Sequence, residues 1–147
     1  MKFPQLPEEQ RKALNVYVKL MRATNRTSAV IHRHLQTDNL THSQFAVLEA
    51  LYHLGPLSQG ELGQKILKSN ANLTTVVDSL EKKALVRRER SNDDRRRVTV
   101  CLTDNGQELI AKVFPRHAEI VTREISILSE KEQLELSRLL KKLGTSL

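Results

Sequence analysis

The feature that most constrains how this chain folds is a pair of short helices separated by a tight turn. Ser58 with Glu61 forms a capping box, a pattern that starts a helix, and the helix is expected to run through Ile66. After a break of three or four residues, Ser69 can cap a second helix whose apolar residues share one face. These apolar residues are Leu73, Val76, Val77, Leu80 and Ala84. Two short helices in this arrangement predict a helix-turn-helix.

A hairpin is predicted directly after the second helix. Leu85 to Arg90 and Arg97 to Leu102 are expected to form two strands, with the turn-rich sequence SNDD between them. In the second strand, Val98, Val100 and Leu102 alternate with other residues, which is typical of a half-buried strand. A helix-turn-helix followed by a hairpin predicts a winged helix with a two-stranded wing.

Positive charge is concentrated on the same stretch. The chain has a formal net charge of +7, and eight basic residues lie between Lys82 and Arg97 against three acidic ones. Clustered positive charge on one element indicates a polyanionic partner, although a solvated basic surface is the simpler alternative. Its place on a predicted winged helix favours nucleic acid.

Further helices flank the predicted winged helix. Residues 8–36 are expected to form one long helix, with Asn39 in the break after it, and Gly55 with Pro56 ends the next helix. Capping patterns mark where the other helices begin. These caps are Thr41 with Gln44, Thr103 before a helix to about Leu128, and Ser129 with Glu132.

The second helix of the pair is the better candidate for a recognition helix. Its apolar face is taken by core residues, and its opposite face near the N-terminus is polar, although such a face can also be merely solvated. Asn pairs with adenine N6 and N7, and Thr contacts the thymine methyl, so these side chains suit base edges in a major groove. The predicted DNA-binding residues here are Asn70, Asn72, Thr74 and Thr75.

The hairpin tip is the second predicted DNA-binding site. Arg95, Arg96 and Arg97 cannot all face one way, so at least one is expected to enter a minor groove, where narrow A·T stretches concentrate negative potential. Asp94 is expected to orient an arginine by a charge-assisted hydrogen bond. Arg88, in the first strand, is also predicted to bind DNA. The alternative is a solvated loop of self-paired charges.

The stretch from Thr41 to Gly106 closely resembles the MarR family of winged-helix regulators. The resemblance is carried by THSQFAVLEALYHLGPLSQGELGQKI and LTTVVDSLEKKALVRRERSNDDRRRVTVCLTDNG, above all by xVDxLEKKxLVxR and by DDRR followed by LTxxG. It implies a homodimer with intertwined terminal helices, a palindromic operator, and repression relieved by a small phenolic or lipophilic ligand or by oxidation. It also implies that Asp94 and Arg96 form a wing pair and that Ser69 lies on a recognition-helix position.

The prediction is a mainly α fold in a single domain over residues 1–147. The winged helix spans about 41–103, and dimerisation helices span about 8–36 and 104–147. Apolar residues in the terminal helices favour a dimer independently, because one small winged helix leaves them uncovered. The predicted function is a sequence-specific double-stranded-DNA-binding transcriptional regulator, a repressor released by a small ligand or an oxidative signal. The alternative is a basic RNA-binding or protein-interaction module, although RNA readers rely on exposed aromatic residues and those here mostly occupy core-type positions.

The sequence contains no motif for catalysis or metal binding. No Gly-rich phosphate loop or nucleophile motif is present, so neither an enzyme nor a cofactor is predicted. His32 and His34 are two residues apart on a helix and face apart, and no Cys pair or His-x3-His accompanies them. No metal site is therefore predicted among the five histidines.

The single cysteine and the distribution of apolar residues predict a cytoplasmic protein. Cys101 has no partner for an intrachain disulfide, and its strand position predicts that it lies off the buried face. Nearby arginines could lower its pKa, but an inert strand residue is favoured over a redox sensor. The absence of long apolar runs and the presence of Glu8 and Glu9 near the start predict neither a membrane span nor a signal peptide.

Overall fold

Six α-helices and a small three-stranded sheet make up the part of the chain that the computed structural model describes, residues 5–66, 70–94 and 96–145, without the side chains of Asn70 and Ala71. The mainly α class and the winged helix are confirmed. In chain order the elements are α1 (Glu8–His32), the 3₁₀ helix η1 (Arg33–Asp38), α2 (His42–Leu54), β1 (Leu57–Ser58), α3 (Gln59–Ile66), α4 (Asn70–Lys82), β2 (Val86–Arg90), β3 (Val98–Leu102), α5 (Asp104–Ile125) and α6 (Glu130–Gly144).

These elements divide into two compact units. The winged-helix unit consists of the described residues from His34 to Ile120, and the terminal-helix unit consists of the described residues before and after that range. The winged-helix unit has an aliphatic core to which η1, α2, α3, α4, both wing strands and α5 contribute. Its largest fully buried side chains are Leu35, Phe45, Val47, Leu48, Leu62, Leu73, Val77, Leu80, Val86, Val100, Ile110 and Val113. In the terminal-helix unit, neither α1 nor α6 has a buried residue.

The predicted capping boxes are confirmed. At the start of α2, Thr41 Oγ1 accepts from Gln44 N, while Gln44 Oε1 accepts from Thr41 N. Ser58 and Glu61 make the same reciprocal pair before α3, as do Ser129 and Glu132 before α6. Each box satisfies backbone N–H groups that a helix N-terminus otherwise leaves without partners. The positions where these helices begin therefore follow directly from the sequence.

The sheet contains one more strand than was predicted. Its order is β1-β3-β2, and both neighbouring pairs are antiparallel. The wing hairpin pairs Val86 with Leu102 at its base and Arg90 with Val98 towards its tip. The additional strand, β1, covers only Leu57 and Ser58, which is too short for an alternating pattern to show in the sequence. It joins the segment before α3 to the wing.

The predicted helix over residues 8–36 is wrong at its C-terminal end. The α-helix ends at His32, and the chain continues as the 3₁₀ helix η1. Asn39 follows with a φ of 54°, and Leu40 N donates to Leu35 O in the wide turn that closes many helices. Such 3₁₀ turns are common where a helix tightens at its end, and here the tightening accompanies complete burial of Leu35.

Ala84 does not lie on the apolar face of the second helix, as was predicted. Helix α4 ends at Lys82, and Ala84 is exposed with a φ of 58°. Its N–H donates to Glu81 O, and Leu85 N donates to Leu80 O, so Ala84 occupies the left-handed position of a Schellman turn. Apolar periodicity could not reveal this, because Ala is compatible with either environment.

Among the described helices, none is long and apolar enough to cross a membrane.

Candidate nucleic-acid interface

Helix α4 separates an apolar face from a polar one. Leu73, Val77 and Leu80 are fully buried in the core of the winged-helix unit. Asn72, Thr74 and Thr75, three of the predicted DNA-binding residues, are exposed. Ser69 and the side chain of Asn70, also predicted to bind DNA, lie outside the described residues. The described polar residues therefore have the exposure that reading base edges requires.

Helix α3 makes a direct polar contact with this face. Gln59 Nε2 donates to Thr74 Oγ1 over 2.7 Å. Gln59 is the first residue of α3, so the bond joins the beginning of that helix to the polar face of α4. It restricts the rotamer of Thr74, and a hydroxyl held in one position selects between bases better than one that rotates freely.

The wing tip is held by hydrogen bonds to its own backbone. Asp94 Oδ1 accepts from the backbone N–H of Arg96 over 3.0 Å, and Asp94 O accepts from Arg97 N. Ser91 N then donates to Arg97 O and closes the turn. This bond of Asp94 goes to main chain and not to the predicted guanidinium, so Asp94 supports Arg96 through the backbone. Arg96 and Arg97 are exposed, and Arg95 lies outside the described residues.

Arg97 also approaches helix α3. One of its guanidinium nitrogens lies 3.7 Å from Glu61 Oε1. Hydrogen bonds from Ser58, together with the positive charge of Arg97, lower the pKa of the Glu61 carboxyl, so this partner stays ionised. Residues of β1, α3 and the wing line a cleft of about 350 Å³. Its lining residues are Ser58, Gln59, Gly60, Arg96, Arg97 and Val98.

Arg88, also predicted to bind DNA, pairs with two carboxylates of α4. Its Nη2 lies 2.7 Å from Asp78 Oδ1, and its Nη1 lies 2.8 Å from Glu81 Oε1. The Arg88 side chain is 23% exposed, against 65% for Arg97 at the wing tip. Direct contact with DNA remains a prediction for Arg88, and these pairs give it a structural role within the protein.

Cys101 is buried, and the prediction that it lies off the buried face is wrong. Only 6% of the residue is exposed. Cys101 is opposite Arg87 in the β2–β3 register, and Arg87 Nε donates to Glu89 Oε1 over 2.7 Å on the same stretch of β2. Burial raises the pKa of the Cys101 thiol, with the negative charge of Glu89 adding to that rise, and Arg87 opposes it. Nearby arginines therefore do not produce the reactive thiolate that was considered.

Two histidines lie close together elsewhere in the winged-helix unit. His34 Nε2 and His117 Nδ1 are 3.1 Å apart, and the His117 ring packs 4.5 Å from the Phe45 ring, centroid to centroid. No group of three or more His, Cys, Asp or Glu side chains that could hold a metal ion occurs within residues 5–66, 70–94 and 96–145. The predicted function does not involve this pair.

The sequence did not reveal which residues of the protein bind the side chains that were predicted to contact DNA. Gln59, Asp78 and Glu81 hold Thr74 and Arg88, yet none of the three was a candidate. The available signal was the three-residue spacing of Asp78 and Glu81, which places them on one side of a helix. Both acids belong to the VDxLEKK part of the motif, so the motif encodes an intramolecular contact as well as a helix face.

The fold and this surface define a winged-helix DNA-binding protein: a helix with a polar outer face next to a hairpin with exposed arginines. Residues 40–98 match the model of the MarR family. The HTH-type transcriptional regulator MhqR of Bacillus subtilis (strain 168) is 37% identical over 133 residues, which are 90% of this chain and 92% of that protein. The chain belongs to the MarR family.

Solved structures of similar proteins include complexes. The structure of an S. aureus MepR-DNA complex superposes with a TM-score of 0.80 at 25% identity, covering 89% of this chain and 98% of that one. The Bordetella bronchiseptica protein BpsR, described with a mechanism for regulation of its DNA binding by 6-hydroxynicotinic acid, gives a TM-score of 0.80 at 29% identity, covering 88% of this chain and 93% of that one. The predicted class of function is confirmed: the chain is a DNA-binding transcriptional regulator.

Proposed function

We propose that this regulator binds a palindromic duplex operator as a homodimer, with α4 in the major groove and the wing against the neighbouring minor groove. Asn72, Thr74 and Thr75 would read base edges, together with Ser69 and Asn70. Arg96 and Arg97, together with Arg95, would contact the minor groove or the phosphate backbone, and Asp94 would support the turn that carries them. A·T-rich flanks are expected, because their narrow minor grooves attract arginine.

The observation that best supports this proposal is the position of helix α3 between the two candidate surfaces. Gln59 of α3 binds Thr74 on the polar face of α4, and Glu61, two residues later, pairs with Arg97 of the wing. Both surfaces therefore adjoin the same short helix. We therefore expect one DNA segment to contact both surfaces.

A second copy of the chain is the proposed partner of the terminal-helix unit. MarR proteins are dimers. In this chain, α1 and α6 expose Val16 at 64% and Leu134 at 69%, and Ile127 before α6 is 88% exposed. Apolar side chains exposed to this extent are candidates for burial against a partner. A two-fold axis would then present two recognition helices to two half-sites of the operator.

We infer that a small phenolic or lipophilic ligand, or oxidation, releases the operator and relieves repression. This inference is based on the family resemblance and on the regulation described for BpsR. With Cys101 buried and its pKa raised, a small ligand is the better supported signal. We also infer that the function is binding rather than catalysis, since the members of this family are transcriptional regulators, and that it is exerted in the cytoplasm.

The test is selection of operators from a random duplex library, followed by affinity measurements at several salt concentrations. A palindromic sequence is expected, with affinity falling by about 0.9 log units per log unit of salt for each phosphate contacted. The variant Arg96→Ala should bind the selected operator about 1–3 kcal/mol more weakly while folding normally, because an exposed turn contributes little to the core. Asn72→Ala should instead relax the base preference at one position of each half-site.

The control variant is Arg123→Ala, which removes the same side chain from an exposed position in the last turn of α5. It should keep both the selected sequence and the affinity. Selection of no duplex sequence would refute the proposed function. If both Arg96→Ala and Asn72→Ala behave like the natural protein, the wing and α4 are not the contact surfaces.

A further inference from the structure

Arg88 links the first wing strand to the recognition helix through three contacts with two carboxylates, named here the Arg88 clasp. Its guanidinium pairs with Asp78 over 2.7 Å and with Glu81 over 2.8 Å. Its backbone N–H also donates to the second oxygen of Glu81, over 3.3 Å. Glu81 therefore holds both the side chain and the main chain of Arg88.

The geometry of the clasp follows from the two elements that meet there. Asp78 and Glu81 are three residues apart on α4, so their carboxylates lie side by side on the helix surface. In the sheet that the described residues form, strand β2 lies at the edge, next to β3. An edge strand has backbone groups that no other strand satisfies, and Glu81 serves one of them at Arg88. The planar guanidinium, with its several N–H donors, can bind two carboxylates at once.

The clasp distinguishes Arg88 from the arginines at the wing tip. Arg97 is 65% exposed and its nearest carboxylate oxygen is 3.7 Å away, whereas Arg88 is 23% exposed and has two at hydrogen-bonding distance. To contact a phosphate, Arg88 would have to leave two anions that already occupy its donors, and the two carboxylates would then stand near the DNA uncompensated.

We propose that Arg88 is a positioning residue: through Asp78 and Glu81 it fixes the wing hairpin relative to the recognition helix, and it makes no contact with DNA. This inference rests on the proposed function, since it assigns the clasp to the surface that binds the operator. With the hairpin fixed, α4 and the wing tip present one preformed surface, and binding does not have to order them. Asp78 and Glu81 then promote DNA binding although their charge repels DNA.

The test relies on the opposite effects that these two acids are expected to have on DNA binding: their positioning role favours it, and their negative charge opposes it. The double variant Asp78→Asn/Glu81→Gln keeps the shape of both side chains and removes two negative charges. Electrostatics alone predicts tighter binding to any DNA, because less charge repels the phosphates. The positioning role predicts that the selected operator is bound about tenfold more weakly, the loss expected when one good contact is misplaced, while unrelated DNA is bound as well as before or better.

The complementary variant is Arg88→Met, measured over the same range of salt. A positioning residue should lose operator affinity without changing the slope of log affinity against log salt. A residue that contacts phosphate should lower that slope by about 0.9 and weaken binding to unrelated DNA as well. Glu108→Gln, which removes one exposed acid from α5, is the control for a general charge effect and should leave the operator preference unchanged.

Two further measurements check that the variants are folded and that the contact at the Arg88 N–H is lost. Circular dichroism and thermal melting establish that each variant is folded at the temperature of the binding assay, with Glu81→Gln alone as a milder variant. Amide hydrogen exchange should be faster at Arg88 in the double variant, since its N–H loses a carboxylate acceptor. The proposal is overturned if the double variant binds the operator as tightly as the natural protein or more tightly, or if Arg88→Met lowers the salt slope. If the natural protein selects no operator, the proposed function fails first and the clasp proposal with it.

Discussion

At the scale of single residues, Gly106 shows how closely α5 packs against the segment between α4 and β2. A Cβ built on Gly106 would lie 2.0 Å from Leu85 O, a backbone atom that cannot move aside easily. Leu85 O also accepts from Thr103 N, and Thr103 Oγ1 both donates to Ala84 O and accepts from Gly106 N. The LTxxG motif therefore encodes a contact between Thr103, Gly106 and this segment.

Gly106→Ala is expected to destabilise the protein. Because the added methyl group meets backbone, part of α5 or of the Leu85 segment must shift, at a cost of about 1–3 kcal/mol in the free energy of unfolding. Urea denaturation measures this loss in the free energy of unfolding. Gly60→Ala is the control, since its Cβ would meet nothing within 4 Å in helix α3 and should stabilise by up to about 1 kcal/mol. Equal stability of the two variants would show that the contact at Gly106 relaxes without cost.

The His34–His117 pair predicts a dependence of stability on pH. Burial lowers the pKa of His34 from its usual 6.5, Arg116 adds to that lowering, and Asp38 opposes it. The unfolded chain therefore binds a proton at His34 before the folded protein does, and stability falls as pH drops below about 6.5. Protonation of both rings would also leave two donors facing each other across 3.1 Å.

The measurement compares the natural protein with His34→Gln by urea denaturation between pH 7.5 and roughly 5, the range in which a histidine of ordinary pKa titrates. The natural protein should lose more stability over this range than the variant. Parallel curves would show that His34 is not the group responsible. Asp38, which forms an ion pair with Arg116, is present in both proteins, so its contribution largely cancels.

At the scale of elements, the sequence predicts well where a helix begins, because the capping interactions are local. The boxes at Thr41, Ser58 and Ser129 each use a side chain and a backbone group three residues apart, so their positions can be read directly. Strand β1 and the 3₁₀ helix η1 could not be predicted, because the first is formed by pairing with a distant strand and the second accompanies burial of Leu35. Cys101 was misplaced because pleat alternation says nothing about the ion pair of Arg87 and Glu89 beside it.

The candidate site also has features that the sequence predicts and features that it does not. Exposure of Asn72, Thr74, Thr75, Arg96 and Arg97 agrees with their place in the pattern, because helical period and turn position decide which side chains face solvent. The contacts among elements, such as Gln59 with Thr74 or Asp78 with Arg88, depend on how α3, α4 and β2 are packed. Such long-range geometry is not contained in local periodicity.

Ala84→Gly is expected to stabilise the turn that ends α4. Ala84 has a φ of 58°, a left-handed conformation that costs a residue with a Cβ roughly 1–2 kcal/mol and costs Gly much less. Part of that gain is lost because Gly makes the unfolded chain more flexible, so a net increase of about 0.5–1 kcal/mol is expected. The control is Ala71→Gly, the same substitution inside α4. In thermal melting, Ala84→Gly should raise the melting temperature and Ala71→Gly should lower it. A less stable Ala84→Gly protein would contradict the assignment of the turn.

At the scale of the whole molecule, the two units differ in what they bury. The core lies in the winged-helix unit, whereas α6 exposes a row of leucines along its length. The leucines are Leu134, Leu136, Leu139, Leu140 and Leu143. A helix with this pattern needs a partner to cover it, and the proposed homodimer supplies one.

Deleting residues 130–147 is expected to yield aggregated protein, or monomers with little operator affinity, because half a palindrome offers half the contacts. The milder variant Leu139→Glu should weaken dimerisation while leaving the winged-helix unit folded, and Lys142→Ala, an exposed position on the same helix, should not. Light scattering with an operator-binding assay measures both effects. A truncated chain that stays dimeric and binds normally would show that the pairing surface lies outside α6.

The hydrogen bonds around Leu85 also determine where the chain can change in length. Leu85 N–H binds Leu80, Leu85 O binds Thr103, and Ala84 O binds the Thr103 hydroxyl, so an inserted residue here would break several bonds at once. The wing turn has mostly exposed side chains, and such loop tips accept insertions readily. Differences in length among related regulators should therefore fall in the wing turn, where they would alter how far the arginines extend along the DNA.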